Sequence, residues 1–317
     1  MCIRKFLFLV ILGILVIFSI NVVYAGDLVV GIANHAAGNE FINYMVEEMQ
    51  GRLNELGVKY DYVVADGTLE AHNNNIETLI GKGLKVIVVV GGDAEGLKPM
   101  QNLAVEKGAA LISADTGLIG PGVLTDVTSD NKIIGQLMAY FLIAKLDGEG
   151  EIVVFREPYY TPCRIRWMEG AKPIFDQYPG IKIVGDTAIQ FPEGTPQAMA
   201  AMESHLVAHP EIKGVWAVYD QPALGAIQAL LAAGRKDVVV VGADGDRLNI
   251  VDYISKGLIE KGTVAQNSGA MGRICADVSV QYLKGEKTEF PEHIYAPVTL
   301  VVKGNALSFA KARGWIK

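Results

Sequence analysis

Ten short apolar segments alternate with amphipathic helical segments from Leu28 onward, and this alternation restricts the fold more than any other feature. The first five segments are LVVGIA (28–33), YDYVVA (60–65), VIVVV (86–90), ALISA (110–114) and GVLTDV (122–127). Segments such as VIVVV are apolar on both faces, as is typical of parallel strands that helices cover on both sides. Apolar residues over 41–56 recur at three- and four-residue steps, which predicts a helix with one buried face.

A second series of five apolar segments follows the first. It comprises EIVVF (151–155), IKIVGD (181–186), GVWAVYD (214–220), VVVVGAD (238–244) and GTVAQ (262–266), with helices predicted at 165–178, 196–208, 222–233 and 248–256. Each series has the size of an ordinary domain, and no Pro-, Gly- or Ser-rich linker separates the two. The sequence therefore predicts an α/β fold of two similar lobes, each a parallel sheet flanked by helices, with a cleft between them.

The first 25 residues predict a secretory signal peptide. Two basic residues precede an apolar run over 6–20, and Val23-Tyr24-Ala25 supplies the small residues that a signal peptidase requires. The alternative is an uncleaved membrane anchor, since the apolar character continues to Val23. We expect a mature chain that begins at Gly26 and is located in the periplasm, with a membrane-anchored form as the alternative.

Composition excludes several classes of function. The formal net charge of −7 argues against nucleic-acid binding, which requires a basic surface. Cys163 and Cys275 could pair in an oxidising compartment, but two cysteines in so long a chain are not a disulfide framework. No histidine spacing predicts a metal site, no cofactor motif is present, and no G-x-S-x-G nucleophile motif occurs. A glycosidase with paired carboxylates is the remaining enzymatic alternative, and we expect no enzymatic activity.

Three aspartates, Asp115, Asp220 and Asp244, stand at the ends of apolar segments. A carboxylate at the carboxyl end of a parallel strand points into the crevice where α/β sheets bind ligands. An ionised carboxylate can accept two hydrogen bonds at once, which suits a ligand rich in hydroxyl or ammonium donors. The alternative for Asp220 and Asp244 is a capping role at the helix that follows each of them.

Five short motifs occur in an order and spacing that resemble one known family. They are Asn39-Glu40-Phe41-Ile42, Ser129-Asp130-Asn131, the segment DQPALGA (220–226), VGADG (241–245) and TVAQN (263–267). Together they resemble the ribose-type (type I) periplasmic sugar-binding proteins, which are the solute receptors of ABC importers. The resemblance implies one lobe formed by 27–129 plus about 267–295, and another formed by 130–266 plus about 296–317.

The resemblance also implies which residues bind the ligand. Asn39 would hydrogen-bond sugar hydroxyls, Phe41 would stack on the sugar ring, and Asp115, Asp244 and Gln266 would accept or donate in the cleft. Asp220 matches an aspartate beside a cleft asparagine. Three positions depart from the family's pattern and stay in the predicted ligand set: Thr116 replaces an arginine, Tyr219 an asparagine, and Trp167 an arginine whose role Arg166 or Arg164 could take over.

These features predict a monomeric solute-binding protein that delivers a sugar-like molecule to an ABC permease in the membrane. Ligand would bridge the lobes and shift a hinge equilibrium from open to closed. The alternative is a sensor that presents occupancy to a chemoreceptor or sensor kinase. Because several carboxylates lack arginine partners in the sequence pattern, a cationic, amino-sugar or autoinducer-2-like ligand is a further alternative, held between Trp167 and Tyr219 by cation–π contacts.

Overall fold

The computed structural model describes residues 28–191, 193–246, 251–257 and 261–316. The predicted signal peptide lies outside the described residues, as does the start of the helix predicted at 248–256. Within the described ranges, no helix has the length and apolar character needed to span a bilayer.

In this part of the chain the strands and helices alternate as the sequence predicts. The strands are β1 (Val29–Asn34), β2 (Lys59–Val64), β3 (Val86–Val90), β4 (Ala110–Ala114), β5 (Val123–Ser129), β6 (Gly150–Arg156), β7 (Ile181–Ala188), β8 (Ile212–Ala217), β9 (Val239–Asp244), β10 (Lys261–Ala265), β11 (His293–Ala296) and β12 (Thr299–Val302). The helices are α1 (Glu40–Glu55), α2 (Leu69–Gly81), α3 (Lys98–Lys107), α4 (Asn131–Lys145), α5 (Thr161–Ile165), α6 (Lys172–Phe175), α7 (Gly194–Ala208), α8 (Asp220–Ala232), α9 (Asp252–Lys256), α10 (Ser268–Leu283) and α11 (Ala306–Ala312). A π-helical segment, Arg166–Ala171, joins α5 to α6.

Two sheets of the same topology organise these elements. Among the described residues each sheet has six strands, in the orders β11-β5-β4-β3-β1-β2 and β12-β10-β9-β8-β6-β7. All neighbouring strands of the first sheet are parallel. In the second sheet only β12 is antiparallel to its neighbour, β10. The predicted two-lobed α/β fold with predominantly parallel sheets is therefore confirmed.

The chain passes between the two sheets at three places in the described ranges. After β5 the chain enters the second lobe, where α4 packs on the π-helical segment and on β9. After β10 it returns to the first lobe, where α10 packs on α1. It crosses again between β11 and β12. The exact residues at which the resemblance places the limits of the lobes remain a prediction.

The apolar patterns form the cores of both lobes. All five residues of β3 are buried, and the buried side of α1 carries the residues at the predicted helical steps, among them Met45 and Met49. Trp216 is fully buried within β8, as its position in an apolar strand predicts. Cys163 and Cys275 are both buried and free, so no disulfide links the lobes through them.

Candidate functional site

A cavity of about 360 Å³ lies between the lobes at the carboxyl ends of the parallel strands. This volume falls within the range of small-molecule sites, roughly 300–1,000 Å³. Residues of both lobes line it: His35, Asn39, Phe41, Ile42, Gly67, Leu69, Gly91, Gly92, Asp93, Asp115, Glu157, Tyr159, Tyr160, Cys163, Arg166, Gln190, Phe191, Tyr219, Asp244 and Gln266. The cavity therefore occupies the crevice in which α/β sheets bind ligands.

Seven of the ten sequence-predicted ligand residues meet at this cavity. They are Asn39, Phe41, Asp115, Arg166, Tyr219, Asp244 and Gln266. Of the two candidate arginines, Arg166 lines the cavity and Arg164 does not. Arg166 is buried, whereas Arg164 is exposed at the surface. Their convergence from separate strand ends follows from the topology, since parallel strands present their carboxyl ends at one edge.

Thr116 and Trp167 do not line the cavity. The Thr116 hydroxyl lies within hydrogen-bonding distance of the backbone oxygens of Val89 (3.1 Å) and Gly91 (3.0 Å) and donates its one proton to them, so it joins the ends of β3 and β4. The Trp167 ring packs on Trp216, with ring centroids 5.0 Å apart, in the core of the second lobe. The predicted cation–π box of Trp167 and Tyr219 is therefore not formed.

Asp220 is buried and does not line the cavity. One carboxylate oxygen, Oδ2, accepts from the backbone N–H groups of Gly245 (2.8 Å) and Asp246 (3.0 Å) and from the hydroxyl of Thr263 (3.0 Å). The buried Lys261 ammonium lies 3.9 Å from Oδ1. Asp220 begins α8 without making a side-chain cap at that helix. Its observed role is to hold the backbone that follows β9.

Asp115 is the cavity carboxylate of the first lobe. It directly follows β4, has a left-handed backbone with φ of +53°, and is 3% exposed. Thr128 donates to Oδ1 at 2.7 Å, and Tyr160 from the second lobe donates to Oδ2 at 3.0 Å. Burial raises the pKa of Asp115 to about 6, and the hydrogen bond from Thr128 and the charge of Arg166 oppose that rise.

Asp244, Gln266 and Arg166 form the polar group of the second lobe. Gln266 Nε2 donates to Asp244 Oδ1 at 2.8 Å, and Arg166 Nη1 lies 3.8 Å from the same oxygen. Arg166 is fixed from behind by Asn131 Oδ1 and by the backbone oxygen of Val218. Burial raises the pKa of Asp244, while the guanidinium of Arg166 opposes that rise.

Three residues that line the cavity carry a buried polar atom for which the described part of the chain supplies no hydrogen-bond partner. These atoms are Gln266 Oε1, the Tyr219 hydroxyl and His35 Nδ1. Asn39 Oδ1 accepts from Ile42 N–H at 3.3 Å to cap α1, which leaves its amide N–H groups available as donors. Buried polar atoms are normally paired, so these groups mark positions at which a hydroxylated ligand can bond.

Sequence reasoning missed four notable residues of the cavity: His35, Glu157, Tyr160 and Phe191. Glu157 had a usable signal, because it stands two residues after the apolar segment EIVVF, close to a predicted strand end. Its two carboxylate oxygens accept from the backbone N–H groups of Tyr159 and Phe191, each at 3.2 Å. Burial raises the pKa of Glu157. Tyr160 and Phe191 lie in loops, whose placement no periodicity in the sequence reveals.

Comparisons with known proteins identify relatives of similar sequence and similar fold. The xylitol-binding protein of Mycolicibacterium smegmatis is 30% identical over 65% of this chain and 60% of its own length. The ribose import binding protein of Bacillus subtilis is 26% identical over 86% of this chain and 87% of its own length. The structure of an ABC transporter solute-binding protein from Agrobacterium vitis with bound allitol superposes with a TM-score of 0.84, at 26% identity, covering 91% of this chain and all of the other.

A sequence profile described as "Periplasmic binding protein domain" matches residues 30–287. That match spans most of the chain, from β1 to the end of α10. The resemblance to ribose-type sugar-binding proteins is thereby confirmed. The chain belongs to the periplasmic binding protein family.

Proposed function

We propose that the protein is an extracytoplasmic solute-binding protein that captures a sugar or polyol between its lobes and delivers it to an ABC permease. The observation that carries this proposal is the cavity itself, to which the first lobe contributes Asn39 and Asp115 and the second lobe contributes Arg166 and Asp244. A ligand that bonds to both sets favours the closed arrangement of the lobes.

The chemistry of the lining suits a polyhydroxylated ligand. Adjacent hydroxyls can donate together to the two oxygens of a carboxylate such as Asp244, and an aromatic ring such as Phe41 can cover the C–H face of a sugar. Each hydrogen bond to a charged group contributes about 1.5–3 kcal/mol, so several must converge for tight binding. Xylitol, ribose and allitol, the ligands named for the relatives, share several neighbouring hydroxyls and carry no charge.

Arg166 provides a positive charge beside the buried carboxyl group of Asp244. Its side chain is 2% exposed, and its guanidinium donates to Asn131 Oδ1 and to the backbone oxygen of Val218. It lies near Asp244 at 3.8 Å. Because a buried carboxylate without a cation is costly, Arg166 keeps Asp244 closer to its ionised, accepting form. This arrangement supports neutral sugars rather than cations as ligands.

Delivery to a permease, secretion through the predicted signal peptide and a monomeric state belong to the same proposal. The family membership and the sugar importers among the relatives support delivery to a permease. The apolar run at the N-terminus supports secretion.

A thermal-shift screen of the mature chain tests the proposed function. The panel contains pentoses, hexoses, linear polyols, inositols and amino sugars, because a ligand that binds only the native state raises the melting temperature. We expect neutral pentoses or polyols to raise it and amino sugars to do so less. A response to amino sugars alone would favour the cationic ligand instead. Stabilisation by none of the panel would contradict the proposal.

A further inference from the structure

One hydrogen-bonded contact between protein side chains joins the two lobes. Tyr160 precedes α5 in the second lobe, and Asp115 follows β4 in the first. The Tyr160 hydroxyl donates to the Asp115 carboxylate at 3.0 Å and also contacts the backbone oxygen of the same residue. The contact therefore joins one lobe's strand end to the other lobe's helix start.

Both partners are held in place from within their own lobes. The Asp115 backbone N–H donates to Val127 O at 2.9 Å, and Thr128 holds its other carboxylate oxygen at 2.7 Å. Tyr160 packs against the apolar core of the second lobe. Because each group has partners within its own lobe, the bond between them requires little further ordering of side chains.

Beside this bond, the backbone of Gly117 in the first lobe lies close to the side chain of Thr161, the residue after Tyr160. Gly117 has φ of +75°, and a Cβ atom placed on it would lie 2.8 Å from Thr161 Cγ2. A side chain at position 117 would therefore keep the lobes apart. A second contact, between the rings of His35 and Phe191, crosses the cavity with centroids 6.2 Å apart.

We propose that Tyr160 is a positioning residue that fastens the closed form of the protein and sets its open–closed equilibrium before ligand arrives. The proposal rests on the proposed function, in which closure accompanies binding. The apparent affinity is the intrinsic affinity multiplied by the fraction of molecules in the binding-competent form. The Tyr160–Asp115 bond raises that fraction, and it does so for any ligand.

The test compares Tyr160→Phe with wild type, and uses Tyr140→Phe as the matched control because Tyr140 lies on α4 and is 47% exposed. Small-angle X-ray scattering measures the radius of gyration without ligand and at saturation. Calorimetry measures affinity for the best sugar or polyol of the screen. We expect ligand-free Tyr160→Phe to be more extended than wild type, to recover the wild-type radius at saturation, and to bind about tenfold more weakly.

Two outcomes would overturn the proposal. In the first, ligand-free Tyr160→Phe has the wild-type radius of gyration, even if its affinity falls, because the hydroxyl would then act only as a direct ligand contact. In the second, Tyr140→Phe changes the radius to the same extent. Gly117→Ala is a second variant and should extend the ligand-free protein in the same direction. The scattering comparison stands even when no sugar binds, so it fails or succeeds separately from the proposed function.

Discussion

Gln266 donates a 2.8 Å hydrogen bond from Nε2 to Asp244 Oδ1, at the carboxyl edge of two neighbouring parallel strands. The register of β9 and β10 pairs Asp244 with Ala265, so the next residue, Gln266, reaches the same edge. Gln266 Oε1 is left buried without a partner among the described residues. The pair therefore presents free acceptor positions to the cavity, which suits ligand hydroxyls as donors.

Arg166→Met is expected to weaken ligand binding by at least about tenfold at pH 7, because removing one partner of a close charge pair costs about 2–5 kcal/mol. The variant leaves Asp244 buried without its cation, so the pKa of Asp244 should rise further and its accepting form become scarcer. Calorimetry at pH 7 and pH 8.5 measures the loss. Arg164→Gln, at an exposed arginine outside the cavity, is the control and should bind as wild type.

If Arg166→Met bound ligand as tightly as wild type, the guanidinium would have no electrostatic role in the site. If Arg164→Gln lost affinity equally, the effect would come from overall charge rather than from the Arg166–Asp244 contact. A thermal melt of each variant confirms that it is folded.

Ligand affinity is expected to weaken as the pH falls through about 6, the raised pKa of Asp115. Hydroxyl donors favour the ionised carboxylate, so binding lowers this pKa and releases protons. Affinity should therefore be lower at pH 5 than at pH 7. Calorimetry in two buffers of different ionisation enthalpy measures the protons released. Asp115→Asn should remove part of the dependence, and proton uptake on binding would contradict this account.

The raised pKa of Asp115 also makes the stability of the folded protein depend on pH, and stability changes with pH in the opposite direction to ligand affinity. The pKa of Asp115 is higher in the folded protein than its ordinary value of 3.8, so the native state binds this proton more tightly than the unfolded chain. The free energy of unfolding of the ligand-free protein should therefore decrease as pH rises from about 4 to above 6, by about 3 kcal/mol for this group. Urea unfolding at pH 4.5 and pH 7 measures the change, and Asp115→Asn should show a smaller one.

Lys261→Met is expected to reduce the free energy of unfolding by about 3–5 kcal/mol, because it leaves Asp220 buried without a cation. Both side chains are fully buried, and this burial raises the pKa of Asp220 and lowers the pKa of Lys261 to about 8. The double variant Lys261→Met with Asp220→Asn should recover part of the loss, as a neutral pair requires no ion partner. Urea unfolding of the three variants measures this coupling. A double variant that loses the sum of both single effects would show that the two groups act independently.

Gly272→Ala should destabilise the first lobe by about 1–3 kcal/mol, as overpacking does. A Cβ atom at Gly272 would lie 2.0 Å from the backbone oxygen of Met45, where α10 packs on α1. Gly51→Ala, on the exposed side of α1 with no atom within 4 Å of the added Cβ, is the control. It should raise stability by about 0.5–1 kcal/mol, because alanine favours a helix more than glycine. Equal effects at both positions would contradict the close helix packing.

The sequence predicts the repeating strands and helices because fully apolar segments such as VIVVV and regular helical steps leave few other arrangements. It misses β11 and β12, which are four-residue strands at sheet edges with half-exposed residues and hence no distinct apolar pattern. The rule that a carboxylate at the carboxyl end of a parallel strand faces the cleft correctly places Asp115 and Asp244 at the cavity. It fails for Asp220, whose side chain turns to the backbone after β9 instead.

Loop residues and buried aromatics mark the other limit of sequence reasoning. Tyr160 reaches Asp115 only because the lobes approach each other, a relation that no local pattern contains. Trp167 lies one residue from Arg166 but belongs to the core, because the two side chains point to different sides of the π-helical segment. The resemblance to the sugar-binding family correctly predicts Asn39 and Gln266 at the cavity, and the periodicity of apolar residues does not.

Calorimetric titration of the mature wild-type chain and of Asp244→Asn with a neutral pentose or polyol tests the central claim most directly. The account predicts one ligand bound per wild-type chain, and an affinity at least about tenfold lower for Asp244→Asn, because the asparagine amide cannot accept hydrogen bonds at both of the positions that the two carboxylate oxygens occupy. Equal affinities for both proteins, or no binding of any neutral sugar or polyol to the folded wild type, would contradict it.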